Sequence, residues 1–468
     1  MQSLLTRLDE VTENFKKILQ SKETELLEKL KEGDFIDFEQ ELKSTLDDLS
    51  NNLTESMLNE VMESEEMKEK AKQLGAARCL KIRKTKVGVY IWTGQKIMIT
   101  SYYGEPKPNY TKKIKKKRKR GPNGRGGHVI LDDWGFLSKA SPSCYSHLGL
   151  LTVVCPSFDL AVKVLEQQGL KLGSKTVRRI ALALGKKSMK YRVLMNVGKE
   201  ETLAGKRIIV SVDGGRTRIR ILKKGADNES NKHSKFDTPW KEPKLLVIQE
   251  IGVDGQINKK SLPIYDTTLG DATAVFKLLT AYLQQLNIKA ADKVLFIGDG
   301  AKWIWNRSGK MLKDLGLKSS QYIEAIDYYH AVQHLYKTIE ELPAKNLLTL
   351  DKASLTKELK DLLWKGDITT LANRIKPLGK GNLPKVNSLL NFFTKQANLF
   401  NYSHLKSIKM PCGSGIVESA IRRVINLRFK APSSFWLPKN VEPLMFLRGI
   451  ELAGRWKNFI LNFANFKG

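Results

Sequence analysis

The sequence predicts a multidomain α/β protein with a mixed β-sheet core, helical segments before it and an all-helical insertion late in the chain. Three observations carry that prediction. Several short aliphatic runs, rich in β-branched residues, have the length and composition of strands buried on both faces of a sheet. A segment of helical period lies between the third such run and the fourth, as a crossover would. The remaining long stretches keep apolar residues three and four positions apart, the spacing of one helix face.

Composition sets the bounds. A chain of 468 residues has length for two to four domains. It has no apolar run of 18 or more residues, so no membrane-spanning helix is expected. The opening Met1–Glu10 lacks the basic start and long apolar core of a signal peptide. Cys79, Cys144, Cys155 and Cys412 are far apart and form no CxxC pair, which argues against a zinc ribbon or a disulfide framework. A reducing compartment, the cytoplasm with its nucleoid, fits that usage. The formal charge of +31 is uneven: residues 1–70 carry 19 acids and 9 bases, which leaves +41 on the rest. So basic a body points to a polyanionic partner, double-stranded DNA first.

Residues 1–76 read as acidic amphipathic helices, with Leu4, Leu5, Leu8, Val11 and Phe15 on one face, a break at Gly33-Asp34 and a restart near Phe38. Such a region suits oligomerisation as well as packing on its own domain. Residues 77–110 read as a small β-hairpin element, Val87–Trp92 and Ile97–Thr100 around Thr93-Gly94-Gln95-Lys96. Residues 111–127 form a basic arm. Lys112, Lys113, Lys115, Lys116, Lys117, Arg118, Lys119 and Arg120 follow one another with no acid among them, a pattern that suits contact with phosphates.

Residues 128–200 read as a helix-turn-helix DNA-binding domain. Ser157 and Ser174 are the expected caps of two short helices around Gly169–Gly173. Leu160, Ala161, Val164 and Leu165, then Val177, Ile180, Ala181 and Leu184, face inward. Lys175, Arg178 and Arg179 face outward, as a recognition helix in a major groove requires.

Residues 201–342 form the α/β unit. Ile208–Val212 is a buried strand that delivers Asp213 into Gly214-Gly215, and the alternating Arg216–Leu222 that follows predicts a hairpin. Lys244–Gly252 is a third strand, and a helix runs from about Asp271 to Leu286. Lys293–Gly298 is a fourth strand that delivers Asp299 into another glycine turn, and Tyr322–Ile326 is a fifth that runs into Asp327-Tyr-Tyr-His330. Three strands in hairpin order, a crossover helix and two further strands is the RNase H-like order. It would set Asp213 and Asp299 side by side on neighbouring strands. Paired carboxylates repel unless cations screen them, and hard oxygen donors suit Mg²⁺ or Mn²⁺, two per site in a phosphodiester-cleaving centre.

Residues 343–410 read as a helical insertion, and residues 411–468 as the completion of the core with C-terminal helices. Glu418, in the first turns of a helix that Ser414 would cap, is the candidate third acid. An i,i+4 surface pair with Arg422 is the plainer alternative.

As an ordered set, Ser-Val-Asp213-Gly-Gly-Arg, Ile-Gly-Asp299-Gly-Ala-Lys-Trp-Ile-Trp and Gly-Ser-Gly-Ile-Val-Glu418-Ser-Ala-Ile-Arg-Arg resemble the active-site blocks of bacterial insertion-sequence transposases, DDE enzymes related to the Mutator-like superfamily. Asp327-Tyr-Tyr-His330 is similar to the C/D-x-x-H signature between the second Asp and the Glu of those enzymes, and Phe435–Arg448 also fits. The resemblance covers roughly residues 150–455. It implies an RNase H-like core, binding of element ends, and metal-dependent DNA cleavage and strand transfer by a homo-oligomer on DNA, with no membrane partner. Asp213, Asp299 and Glu418 would be the catalytic metal ligands, with His330 touching the scissile phosphate, orienting the site or serving as a structural histidine. Arg422, Arg423, Arg428 and Lys430 would grip phosphates near the site. Trp303 and Trp305 are candidates to stack on an unpaired base, or else core aromatics. His334, one turn after His330, offers a His-x-x-x-His pair with no third ligand in view. No zinc is expected.

Two other readings remain at this stage. Asp213-Gly-Gly-Arg-Thr217 also resembles the first phosphate loop of actin-like sugar kinases and ATPases, but no second phosphate loop or late glycine-rich adenosine site follows. A non-catalytic DNA-binding protein derived from a transposase would not need all three acids.

Overall fold

A computed structural model describes residues 4–78, 80–106, 126–223, 236–342, 351–379, 383–432 and 434–466. The basic arm from Lys112 to Arg120 lies outside them. The chain divides into two units, residues 1–188 with 460–468, and residues 189–459. Among the described residues no helix is long and apolar enough to cross a membrane.

The first unit opens with helices Leu4–Glu32, Phe35–Glu63 and Glu65–Ala77. Gly33 takes φ +77° between the first two, and Asp34 caps the second by accepting from the Asp37 N–H at 3.2 Å. The cap explains why helix resumes at Phe35, ahead of the Phe38 expected. The hairpin is longer than the sequence suggests: Leu80–Tyr90 and Lys96–Pro106 pair antiparallel over eleven residues each. Its second strand is tied to the second helix, where Glu55 accepts from the Met98 N–H at 3.0 Å and Asn59 from the Thr100 N–H at 2.6 Å.

Three helices follow, Pro142–Val154, Phe158–Gln167 and Ser174–Ser188, packed on one another. Ser157 caps the second through the Leu160 N–H at 3.0 Å. Ser174 is not a cap; it is the first residue of its helix, and the Gly173 carbonyl accepts from Thr176 and Val177. Val177, Ile180, Ala181 and Leu184 are buried while Lys175, Arg178 and Arg179 are exposed. Leu160, expected inside, is 40% exposed.

The second unit is built on a five-stranded mixed sheet. Its strands are, in chain order, Arg207–Gly214, Lys244–Ile251, Ile264–Thr268, Lys293–Gly298 and Tyr322–Ile326, called strands one to five. Their spatial order is three-two-one-four-five. Strand two pairs antiparallel with strands one and three, while strand four pairs parallel with both strand one and strand five. Alternate residues of strand one enter two different cores, which is why four of the five residues from Ile208 to Val212 are aliphatic. Ile209 packs with the helices that follow strand five. Ile208, Val210 and Val212 pack with the crossover helix Ala272–Gln285, itself capped by Asp271.

The strand count corrects the sequence reading. Arg216–Leu222 leaves the sheet and makes two-residue ladders with Trp240–Lys241 and Phe236–Asp237, so strand one has no hairpin partner there. Strand two is Lys244–Ile251, and Ile264–Thr268 is an unforeseen third strand. That strand carries Asp266, fully buried and paired with Arg192, whose Nε donates to Oδ2 at 2.7 Å. Tyr282 Oη donates to the same carboxylate at 2.8 Å. Arg192 also meets Glu442 at 3.1 Å, and Arg455 pairs with Glu201 at 2.6 Å. These ties are why residues 189–200, expected with the DNA-binding domain, belong to the sheet unit. At the other end, residues 460–468 group with the first unit, where the whole of 411–468 was expected in the core.

After strand five come helix Tyr328–Glu340 and a group of helices, Lys352–Lys365, Ile368–Ile375, Pro384–Thr394 and Tyr402–Ser407. They share one apolar core with Ile209, Leu295 and Ile297 of the sheet. The chain then enters helix Gly415–Ala420, continues through a π-helical stretch, Ile421–Asn426, and reaches helix Pro438–Leu452, which packs on strand three.

Candidate active site

Register alone brings the acids together. Strands one and four pair in parallel up to Val210 opposite Phe296, and strands four and five up to Gly298 opposite Ile326. Continuing those registers sets Asp213 opposite Asp299 and Asp299 opposite Asp327, one row of carboxylates where three parallel strands end. Ends of this kind are where open α/β sheets bind ligands.

Asp213 is partly buried, and its Oδ1 accepts from the Gly214 N–H at 2.6 Å. Burial pushes its carboxyl up to about 6 against that hydrogen bond; the charges of Asp299 and Glu418 raise it further and His330 opposes them. Asp299, Glu418 and His330 thus each act electrostatically on Asp213. Asp299 is oriented by its own turn: Oδ1 accepts from the Ala301 N–H at 3.0 Å, and its carbonyl accepts from Trp305 Nε1 at 2.7 Å. His330 Nε2 and Glu418 Oε1 lie 2.8 Å apart at a half-exposed position, so Glu418 pairs with the histidine and not with Arg422. His334 packs its ring on Phe392, and burial lowers its pKa.

Asp327 is the residue whose work the sequence did not reveal. It is 1% exposed. One oxygen caps helix Tyr328–Glu340 by accepting from the His330 N–H at 3.0 Å, and the other accepts from Ser414 Oγ at 2.6 Å and from the Ser414 N–H. The Tyr328 N–H donates to the Cys412 carbonyl at 2.9 Å beside it. One buried carboxylate thus fixes the helix that carries His330 to the loop that starts the Glu418 helix. Ser414, expected as a side-chain cap, spends its hydroxyl on Asp327 instead. The Glu418 helix passes directly into the π-helical stretch at Ile421, a local rearrangement found often at functional sites.

The second glycine after Asp213, Gly215, answers to packing. A Cβ on Gly215 would stand 2.7 Å from Ile425 Cδ1, next to the Glu418 helix.

The remaining candidates separate. Trp303 packs edge-on against Phe276 with Lys244 Nζ 4.3 Å from its ring, and Trp305 packs edge-on against Phe296. Both are partly buried with intramolecular partners, the geometry of core aromatics. Arg422 and Lys430 are exposed. Arg423 donates to Tyr265 Oη at 3.0 Å. Arg428 is 3% exposed and lies 4.8 Å from the Trp436 ring, so it is a core residue and not a phosphate grip.

The donor set, three carboxylates of hard oxygens with one raised by burial and by the others, has the chemistry a divalent cation would satisfy. Among the described residues no group of three or more acidic, histidine or cysteine side chains is placed to hold a metal ion. Glu418 rests on His330 and Asp213 on its own backbone. Cys144 and Cys412 are free thiols.

No protein-family model matches the chain, and no curated protein matches it. Among solved structures, the Drosophila P element transposase strand transfer complex is similar over 72% of this chain and 84% of that one, at 14% identity and a TM-score of 0.23. Likeness of that degree establishes neither fold nor function.

Proposed function

We propose that the chain is a DDE-type transposase of an insertion sequence, which binds the ends of its element and catalyses metal-dependent cleavage and strand transfer of DNA. The observation that supports this reading is geometric: the register of strands one and four, continued to their ends, sets Asp213 opposite Asp299, and Glu418 pairs with His330 on the helix that Asp327 begins. The strand order three-two-one-four-five, with strand two antiparallel, is the RNase H-like order and supports it. So does the surplus of positive charge outside the acidic N-terminal helices.

Asp213, Asp299 and Glu418 would hold Mg²⁺ or Mn²⁺, two ions when fully loaded. Such ions, when bound, activate a water or 3′-hydroxyl and stabilise the leaving oxygen of a phosphodiester. The chain's own groups prepare the site. The Gly214 N–H fixes one oxygen of Asp213, and Trp305 holds the Asp299 turn. Asp327 and Ser414 pin the start of the Glu418 helix, and His330 sets the Glu418 carboxylate from the facing helix. Lys175, Arg178 and Arg179 on the exposed face of helix Ser174–Ser188 are proposed to read duplex DNA, with the basic arm and Arg422 adding phosphate contacts and the acidic helices joining copies of the chain.

The test is to incubate the full chain with a linear duplex carrying the DNA that flanks its own coding region. Strand breaks at defined ends that require Mg²⁺ or Mn²⁺ and vanish with a chelator are expected. Absence of any divalent-dependent break on that substrate would overturn the assignment.

A further inference from the structure

Arg216–Lys223 peels away from the sheet directly after Asp213 and is bound firmly at its base. Thr217 Oγ1 donates to the Phe429 carbonyl at 2.8 Å, behind the Glu418 helix, and the Ile219 region ladders with Trp436 through the Trp436 N–H to Arg218 at 3.0 Å and the Arg220 N–H to Trp436 at 2.7 Å. Two-residue ladders hold little by themselves, so these bonds fix the platform that follows Asp213 in the chain.

What the platform presents is unusual for a packed protein. Arg218 lies 4.7 Å from the centre of the Trp240 ring, and Arg220 lies 3.9 Å from that of Phe236, which in turn packs on Phe435. Trp240 is 50% exposed and Arg218 is exposed with it. Among the described residues no carboxylate pairs with Arg216, Arg218, Arg220 or Lys241. Trp240 thus stays half exposed beneath a guanidinium that pairs with no carboxylate among the described residues. The pair combines the two parts of a single-strand surface, an aromatic face for a base and cations for the phosphates beside it.

We propose that the Arg218–Trp240 pair binds an unpaired segment of DNA next to the carboxylate site, with a base on the free part of the indole and a phosphate on Arg218. The proposal deepens the transposase reading and rests on it. A duplex keeps its bases stacked, so the surface discriminates for a single-stranded tail.

The probes are a fluorescent duplex with a single-stranded overhang and the same duplex blunt-ended, bound by the full chain in EDTA. Trp240→Ala should weaken overhang binding roughly 5- to 150-fold, the range for loss of one base–aromatic stack, and change blunt-duplex binding less than twofold. Arg218→Ala should weaken it similarly and reduce the salt slope by about one. Arg218→Lys should restore the slope. Wild-type-like melting and oligomeric state for each variant verify the fold. Overhang affinity within twofold of wild type for both Trp240→Ala and Arg218→Ala would overturn the proposal, as would a change of oligomeric state in place of a change in binding. If the platform binds overhangs and the wild type never cleaves DNA, the transposase reading falls and the binding surface stands. If the wild type binds neither probe, both fall.

Discussion

Asp213→Asn should make the metal-free protein more stable, and the gain should grow with pH. The carboxyl sits at about 6 in the fold and at 3.8 as a free side chain. Between those values the folded state binds the extra proton, so stability contributed at this position falls as pH rises through the window and the full penalty is present above it. A shift of that size corresponds to at most about 3 kcal/mol at pH 8 and about 1.5 kcal/mol at pH 5. Asparagine is nearly isosteric, keeps an oxygen to accept the Gly214 N–H, and carries no charge against Asp299 and Glu418. The assay is urea unfolding of the wild type and Asp213→Asn in EDTA from pH 5 to pH 8, read as midpoint at constant slope. The variant should be the more stable protein throughout, with an advantage that about doubles across the range. Equal stability at pH 8, or an advantage that does not vary with pH, would refute the claim that Asp213 is held charged against its surroundings.

Two further perturbations probe the framework around the site. Asp327→Ala leaves the Ser414 N–H and hydroxyl buried without an acceptor and removes a helix cap, a loss of about 3–5 kcal/mol in urea unfolding, and Asp327→Asn should lose distinctly less. Arg192→Met strands the fully buried Asp266 and should cost about 3–5 kcal/mol, much of it recovered in Arg192→Met/Asp266→Asn, as a double-mutant cycle in urea would measure.

Strands one, two and four are legible in the sequence because each is rich in aliphatic residues buried on both faces, and strand five because Tyr322–Ile326 is a short run that ends at Asp327. Strand three is not. Ile264–Thr268 is five residues long with an aspartate at its centre, and what permits that charge is Arg192, 74 residues earlier. Arg216–Leu222 misled in the opposite way, since its alternation suits any ladder and nothing local says which partner it takes. The same limit governs the site. Asp213 and Asp299 announce themselves as acids at strand ends, but the bond between Asp327 and Ser414 spans 87 residues and lies in no local pattern. Arg428 shows the cost of reading charge by itself, for a basic residue near the Glu418 helix looks like a phosphate contact until Trp436 is seen beside it.

The most direct test of the central claim compares the wild type with Asp213→Asn, Asp299→Asn and Glu418→Gln on duplex DNA carrying the element's flanking sequences, with binding and Mg²⁺-dependent strand breakage measured on the same samples. The account predicts that each variant binds the duplex within a few-fold of wild type and that none breaks it. Wild-type breakage by all three variants would show that these carboxylates are not the catalytic site.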